Sequence, residues 1–567
     1  MTRIIPFLLI FTVLCEAAFA QQPTFSLGES NPTTDFIPQK FIGETNSEYL
    51  VLSWVFGMSL SSALTNSVVS IKDLKMTYFD KSSLNKTKLL TFPEFQGDEI
   101  SKMGKVVLEE LEIKGDTLNL FTSTWDKEKK DYAIHVWALN STTLEPLTPR
   151  AKLLARIEDN GRSDMKRVEI EYLKFINRFA IIYTEYTKKN KETEIHVILL
   201  DDKLNPIKNE SLVMQGTKYG VGIRDIDVDL KGNIYFINAI SDVRFPGWDD
   251  ARWIRVSMIP AGGGSITSAD IELTGGNPIN GLISTSSNGN VFVCGYYAML
   301  TDPKDGGKEF FGGSYVAQIS PLSGEVIKVD ELELSDNQKK ALYVRSMNPN
   351  SPARSYYREM NSMVPKKLSV DEAGNTTMVG SVEYSVVTTS SRSSRITYFS
   401  NSMMISKFKS AGEIAWQMIL PRAAYLSSMS YALYPLVYFD KGITYVLFND
   451  DDNNMLPLSQ IASGKKVNSS SSKGFKPKDY PPTDSDEIEK LDAWNIQRTA
   501  LRLTAIDPTG NWKVNWLSPE GGEEKDKIPA IEGTVMLKDS QGSIITSMYT
   551  KYGSLGLRKS ALARIKI

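Results

Sequence analysis

Apolar and polar residues alternate with period two in short runs along most of this chain, and turn residues separate the runs. That pattern predicts strands rather than helices. The clearest stretch starts at Asp225, where Ile226 and Val228 alternate with carboxylates as far as Asp229. Lys231-Gly232-Asn233 then reverses the chain, and Ile234 to Ile237 returns as a second strand. Gly and Asn suit such a reversal because both tolerate the left-handed backbone of a tight hairpin. Trp253 to Ile259 reads as a third strand and Ser265 to Leu273 as a fourth, so the unit is an antiparallel meander.

The unit recurs. Gly289-Asn290 precedes strands at Val291-Phe292-Val293 and Tyr315 to Ile319, and Gly374-Asn375 precedes one at Met404 to Phe408 with its turn at Ala411-Gly412-Glu413. Lys441-Gly442 and Gln541-Gly542 open later copies, and the chain ends on the alternating strand Ser560 to Ile567. Two earlier copies turn at Gly115-Asp116 and Asn177-Arg178. They share an Ile-His-Val strand, at Ile134 and Ile195, followed by a polar turn and then Leu144 or Leu204. Tyr49 to Phe56 and Met76 to Asp80 supply the second and third strands of one more copy.

A hairpin unit repeated in this way defines a repeat architecture. The expected fold is all-β, a β-propeller of four-stranded antiparallel blades. Counting the N-terminal copy gives eight blades. The alternative is seven, if the N-terminal and C-terminal segments merge into one blade. Longer intervals between turns place insertions near 335–365, with a helix-like start at Asp336 to Lys340, and near 450–497, rich in Lys, Ser, Pro and Asp. Function in such folds usually resides in loops of this kind.

The phrase Val370-Asp371-Glu372-Ala373-Gly374-Asn375, followed by Val379-Gly380, Ile405-Ser406-Lys407-Phe408 and Gly412-Glu413-Ile414-Ala415-Trp416, resembles the repeat of the bacterial SBBP-type β-propeller family. Ala505 to Trp516 also looks like a quinoprotein-type propeller repeat. The resemblance covers roughly Ile223 to Leu447 and the C-terminal copy. It implies a propeller and export, and it carries no catalytic residue, because propeller repeats share strand and turn grammar across unrelated functions.

Charge and the chain ends narrow the picture further. Lys plus Arg number 65 against 67 Asp plus Glu, so no global field favours a nucleic acid or an anionic membrane. Met1-Thr2-Arg3, the apolar run Ile4 to Leu14 and Ala18-Phe19-Ala20 read as an export signal cleaved after Ala20. Cys15 raises a lipoprotein alternative, but Leu14 stands where such a site wants a small residue. The run is too short to span a bilayer. Residues 21–567 are then one exported propeller domain, periplasmic or extracellular. Cys294 is left without a partner for an intramolecular disulfide.

Candidate chemistry is sparse. His135 and His196 occupy equivalent places in neighbouring units, a blade apart, and read as structural residues rather than a catalytic or metal-binding pair. Asp225, Asp227 and Asp229 share one strand face and would favour a hard cation such as calcium, unless Asp229 only serves its turn and the others face a solvated central channel. Asp450-Asp451-Asp452-Asn453-Asn454 reads as a solvated acidic loop with the same calcium alternative. Trp248, Tyr356, Tyr357 and Trp494 fall in loops, where aromatic faces can stack on a sugar or anchor a protein. These four are the ligand-binding candidates, and no catalytic, cofactor or metal residue is assigned. The expectation is a binding or scaffolding module for a protein or glycan partner. The alternative is a glycan hydrolase or lyase working through carboxylates alone, which requires acids from two or more blades to converge in a pocket lined by aromatics.

Overall fold

The computed structural model describes residues 23–29, 31–32, 37–54, 74–93, 106–126, 129–158, 168–173, 176–187, 192–215, 222–241, 252–262, 265–300, 309–335, 338, 363–371, 373–389, 394–426, 434–451, 499–517, 530–553 and 556–567. They form eight antiparallel sheets, seven of them with their strands in chain order. Blades 1 to 7 span 37–91, 106–158, 168–215, 222–271, 277–333, 363–426 and 436–517. Blade 8 takes three strands from 530–566 and its outer strand, Thr24–Leu27, from the other end of the chain, where the short strand Asn31–Pro32 also pairs with Ser560 and Lys559. The terminal segments therefore do share a blade, yet the count is eight, because 37–91 builds a complete sheet of its own.

Each blade is buried on both faces. Ile234 and Phe236 pack toward blade 3, while Tyr235 and Ile237 pack toward blade 5. Period-two alternation thus sends successive apolar side chains to two different interfaces. Among the described residues, one apolar cluster fills each of the eight junctions, including blade 8 against blade 1 through Ile545, Leu562, Tyr49 and Phe79.

The first strand of every blade lines the ring's interior. Neighbouring first strands are tied directly at several junctions: Ile283 N donates to Asp225 at 2.8 Å and Thr285 N to Asp227 at 2.6 Å, and Asn280 Nδ2 donates to the Met363 carbonyl at 2.6 Å. Turns joining first to second and third to fourth strands fall on one rim, the turn rim. Second-to-third connections and the links between blades leave from the opposite, loop rim.

The recurrent turn is locked by its aspartate. Asp229 Oδ1 accepts the Lys231 and Asn233 amides, both at 2.9 Å, and Asn233 Nδ2 returns to Asp229 Oδ2 at 2.8 Å. Asp371, Asp507 and Asp201 repeat the arrangement with Asn375, Asn511 and Asn205. Gly232, at φ 86°, supplies the left-handed residue. Leu84, Leu144 and Leu204 adopt φ near 60° where later blades have Gly324, Gly412 and Gly510. Leu84 and Leu144 are buried in core clusters, and that burial offsets the backbone strain.

Residues 1–22 lie outside the described residues, as do most of both expected insertions. At the start of the first insertion Ser335 N donates to Gln338 Oε1 and Gln338 N to Ser335 Oγ. No helix among the described residues is long and apolar enough to cross a membrane.

Candidate functional site: an acidic arc in the central channel

Three adjacent first strands, Val106–Lys114, Val168–Leu173 and Gly222–Val228, carry Glu109, Glu110, Glu112, Glu169, Glu171, Asp225 and Asp227. A propeller places such strands around its central channel, so blades 2 to 4 present an acidic arc. Register shifts between Leu108 and Glu110 and between Ile223 and Asp225 mark bulges. The first strands of blades 1, 5 and 6 shift likewise at Pro38/Lys40, Pro278/Asn280 and Pro365/Lys367. A bulge re-aims the side chains that follow it.

The carboxylates feel one another across blades. Asp225 is pushed up to about 7, first by burial and then by Asp227 and Glu171, against the lowering effect of its backbone hydrogen bonds. Glu112 is also raised to about 7, by burial first and by Glu110, with Lys40 opposing. Glu171 opens on the channel but is surrounded by protein. That partial desolvation raises it first, followed by Glu169 and Glu110. Burial also raises Glu109, which accepts a hydrogen bond from Ser123. Asp227 is raised by burial although it accepts the Val228 and Thr285 amides and the Thr285 hydroxyl.

Cations balance the arc from blades 1 and 6. Lys40 pairs with Glu110 at 2.5 Å. The first strand of blade 6 carries Lys366, 2.5 Å from Glu383, and Lys367, which donates to the Val437 carbonyl of blade 7 at 3.2 Å. Burial lowers the Lys367 pKa. Groups that titrate near neutrality can donate or accept a proton, so Glu112 and Asp225 have the acidity for proton transfer. The aromatic platform of a glycan site is missing from these three strands. Their one aromatic, Tyr172, donates to Asn177 Oδ1 at 2.8 Å, on the turn rim. Among the described residues no three acids, histidines or cysteines are grouped closely enough to hold a metal ion.

The raised acids make stability pH-dependent. Asp225 and Glu112 bind their protons more tightly folded than unfolded, so their contribution is full below about pH 4 and is lost as pH rises through about 7. Asp225→Asn retains an oxygen to accept the Ile283 amide and removes the charge. It is expected to stabilise the protein by about 1–3 kcal/mol at pH 8 and to change little at pH 4, as read by thermal unfolding at the two pH values. An equal effect at both would contradict the assignment.

The acidic runs noted in the sequence are placed differently from their expectation. Asp225 and Asp227 do not simply face solvent, because each accepts a backbone amide of blade 5; Asp229 serves its turn, as expected. Asp450 is no part of a solvated loop. It lies on Ile443–Asp451, 3% exposed, and pairs with Arg502 at 3.1 Å. His135 and His196 are the fifth residues of the third strands of blades 2 and 3. His135 is buried opposite Thr122 and Leu153, and His196 stacks on Tyr183 at 4.5 Å.

Trp248, Tyr356, Tyr357 and Trp494 lie outside the described residues. Their flanking strands, in blade 4, between blades 5 and 6, and in blade 7, all end at the loop rim. The glutamates of blades 2 and 3 were missed. Their signal was available, since Val106–Lys114 and Val168–Leu173 carry the same acid-bearing alternation as Asp225 to Asp229.

The molecule is thus an eight-bladed β-propeller protein with a charged channel. No protein-family model matches the chain, and no curated protein matches it. Solved structures similar to it include the Dos1 propeller, at 8% identity and a TM-score of 0.39 over 95% of each chain. A mutant Synechocystis apocarotenoid oxygenase matches at 10% identity and a TM-score of 0.34, over 75% of this chain and 87% of that one. The endosialidase of phage phi92 matches at 9% and 0.30, over 96% of this chain and 79% of that one.

Proposed function

We propose that this propeller is an exported binding or scaffolding protein of the SBBP-type repeat family, which takes a protein or glycan partner through the connections at its loop rim. The difference between the two rims carries the reading. Several turn-rim hairpins are short and locked by their own aspartates, whereas the longest connections, 54–74, 333–363 and 451–499, start and end at the loop rim. A surface that varies between otherwise similar blades is where selectivity resides. The test is a protein pull-down and glycan-array screen with residues 21–567, repeated with Trp248, Tyr356, Tyr357 and Trp494 all changed to Ala. A partner retained by the wild type and weakened about tenfold or more in the quadruple variant supports the reading. Unchanged retention removes the loop aromatics from it.

The coupled acids of blades 2 to 4 favour a second reading, a carboxylate-dependent glycan hydrolase or lyase working in the channel. Here Glu112, at about 7, is the proton donor and a neighbouring ionised acid its partner. Turnover of a glycan by the wild type, reduced about a hundredfold or more in Glu112→Gln, supports it. Glycan turnover unaffected by that substitution excludes this channel as the site.

A further inference from the structure

Blade 3 departs from the repeat at one informative place. Asn177, at φ 51°, stands where blade 4 has Gly232, so Arg178 stands where blade 4 has Asn233. Asn233 is used up by its own turn and its surroundings. It bonds Asp229, accepts the Ala261 amide at 2.9 Å and reaches the Pro321 carbonyl of blade 5 at 3.3 Å. Arg178 makes no such bonds. Its side chain borders a cavity of about 280 Å³ between blades 3 and 4, on the turn rim.

The cavity is lined by apolar and by basic side chains, and more of its surface is polar than apolar. Ile176, Leu199, Ile234, Ile259 and Ala261 are the apolar residues, and Arg178, Lys208 and Lys231 the basic ones. None of the described residues that line it is acidic. Lys208 is engaged, donating to the Pro260 carbonyl at 2.6 Å and lying 3.6 Å from Glu210. Among the described residues, Arg178 and Lys231 have no ion pair or side-chain hydrogen bond.

From this geometry we infer a binding site for a small organic oxyanion, a carboxylate or phosphate monoester on a compact apolar body. Arg178 and Lys231 hold the anionic group and the isoleucines cover the body. A guanidinium presents two parallel donors to a carboxylate or phosphate, and the adjacent ammonium adds a point charge. The volume lies at the small end of ligand cavities, which excludes a polymer within the hollow. The site is on the rim opposite the loop connections and is independent of the function proposed above.

Calorimetric titration of residues 21–567 with phenyl phosphate, benzoate and inorganic phosphate tests it. Saturable binding of phenyl phosphate or benzoate is expected, at least about tenfold tighter than inorganic phosphate, which lacks the apolar body. Whichever of the two binds more tightly identifies the anionic group. Arg178→Gln/Lys231→Gln should weaken that binding at least about tenfold with an unchanged melting temperature. Ala261→Leu, which keeps both cations and fills the hollow, should weaken it similarly. Absence of binding at millimolar concentration, equal affinity for inorganic phosphate, or full binding by both variants overturns the proposal.

Discussion

Removing residues 24–28 is expected to open the ring. Thr24–Leu27 pairs with Gly556–Lys566 from Thr24 opposite Lys566 to Leu27 opposite Ala563, and Gly28 N adds a bond to the Leu562 carbonyl at 2.9 Å. Phe25, 2% exposed, enters the cluster that joins blade 8 to blade 7 through Tyr438, Leu503, Met548 and Ile565. Phe25→Ala alone should cost about 3–5 kcal/mol, since it combines lost burial with a cavity. The deletion should cost more, because it also leaves the last strand unpaired from Ala563 to Lys566, beyond the Asn31–Pro32 pairing at Ser560 and Lys559, and so open to pairing with another chain. Chemical denaturation and size-exclusion chromatography would show a lowered midpoint with self-association. A deletion variant that remains monomeric with an unchanged midpoint would show that the ring closes without this strand.

The second large effect is expected at the junction of blades 6 and 7. Arg422 and Arg502 are both buried and lie over the Phe448 ring, with guanidinium carbons 5.2 and 5.0 Å from its centroid. Asp450 pairs with Arg502. Burial lowers the Arg422 pKa to about 10, and Asp450 and Glu383 act in the opposite direction. Arg422 is further held by Ser400 Oγ at 2.9 Å and by the Asn449 carbonyl at 3.4 Å. Asp450→Ala withdraws a buried negative charge from beside two buried positive ones and should destabilise the protein by about 3–5 kcal/mol. Asp450→Leu combined with Arg502→Met should recover most of that loss, because an apolar pair of similar volume needs no compensation. Equal damage from the single and double variants would mean that packing, rather than charge, sets the cost.

Much of the fold was legible because its rules are local. The hairpin positions at 115, 177, 232, 289, 374, 442 and 542 all prove to hold a left-handed residue. Leu144 and Leu204, noted only as a shared feature of two early copies, turn out to stand where later blades have glycine in the third turn. The site was less legible. Asp450 looked like the first member of an acidic loop because its neighbours in sequence are acidic. In space it pairs with Arg502 and acts electrostatically on Arg422, both of them on other strands.

The glutamates of the channel illustrate the same limit. Glu109 with Glu112, Glu171, and Asp225 sit in three separate runs that each read as half-exposed strand. They become one arc only when blades 2, 3 and 4 bring their first strands together, and only then does Asp225 sense Glu171 and Glu171 sense Glu110. Electrostatic coupling depends on distance and burial, and neither is carried by spacing along the chain.

The sequence by itself determined the strand period, the turns and their left-handed residues, and hence a repeat of four-stranded sheets. Each of those depends on torsional preference and on side-chain alternation within a few residues. The tertiary structure alone decided that eight complete blades close through Thr24–Leu27, that Asp225 and Asp227 bind the amides of the next blade, and that Arg178 borders a hollow instead of locking a turn. Those features arise from contacts between blades. Their residues are brought together by closing the ring, and no local pattern records which strands will then be neighbours.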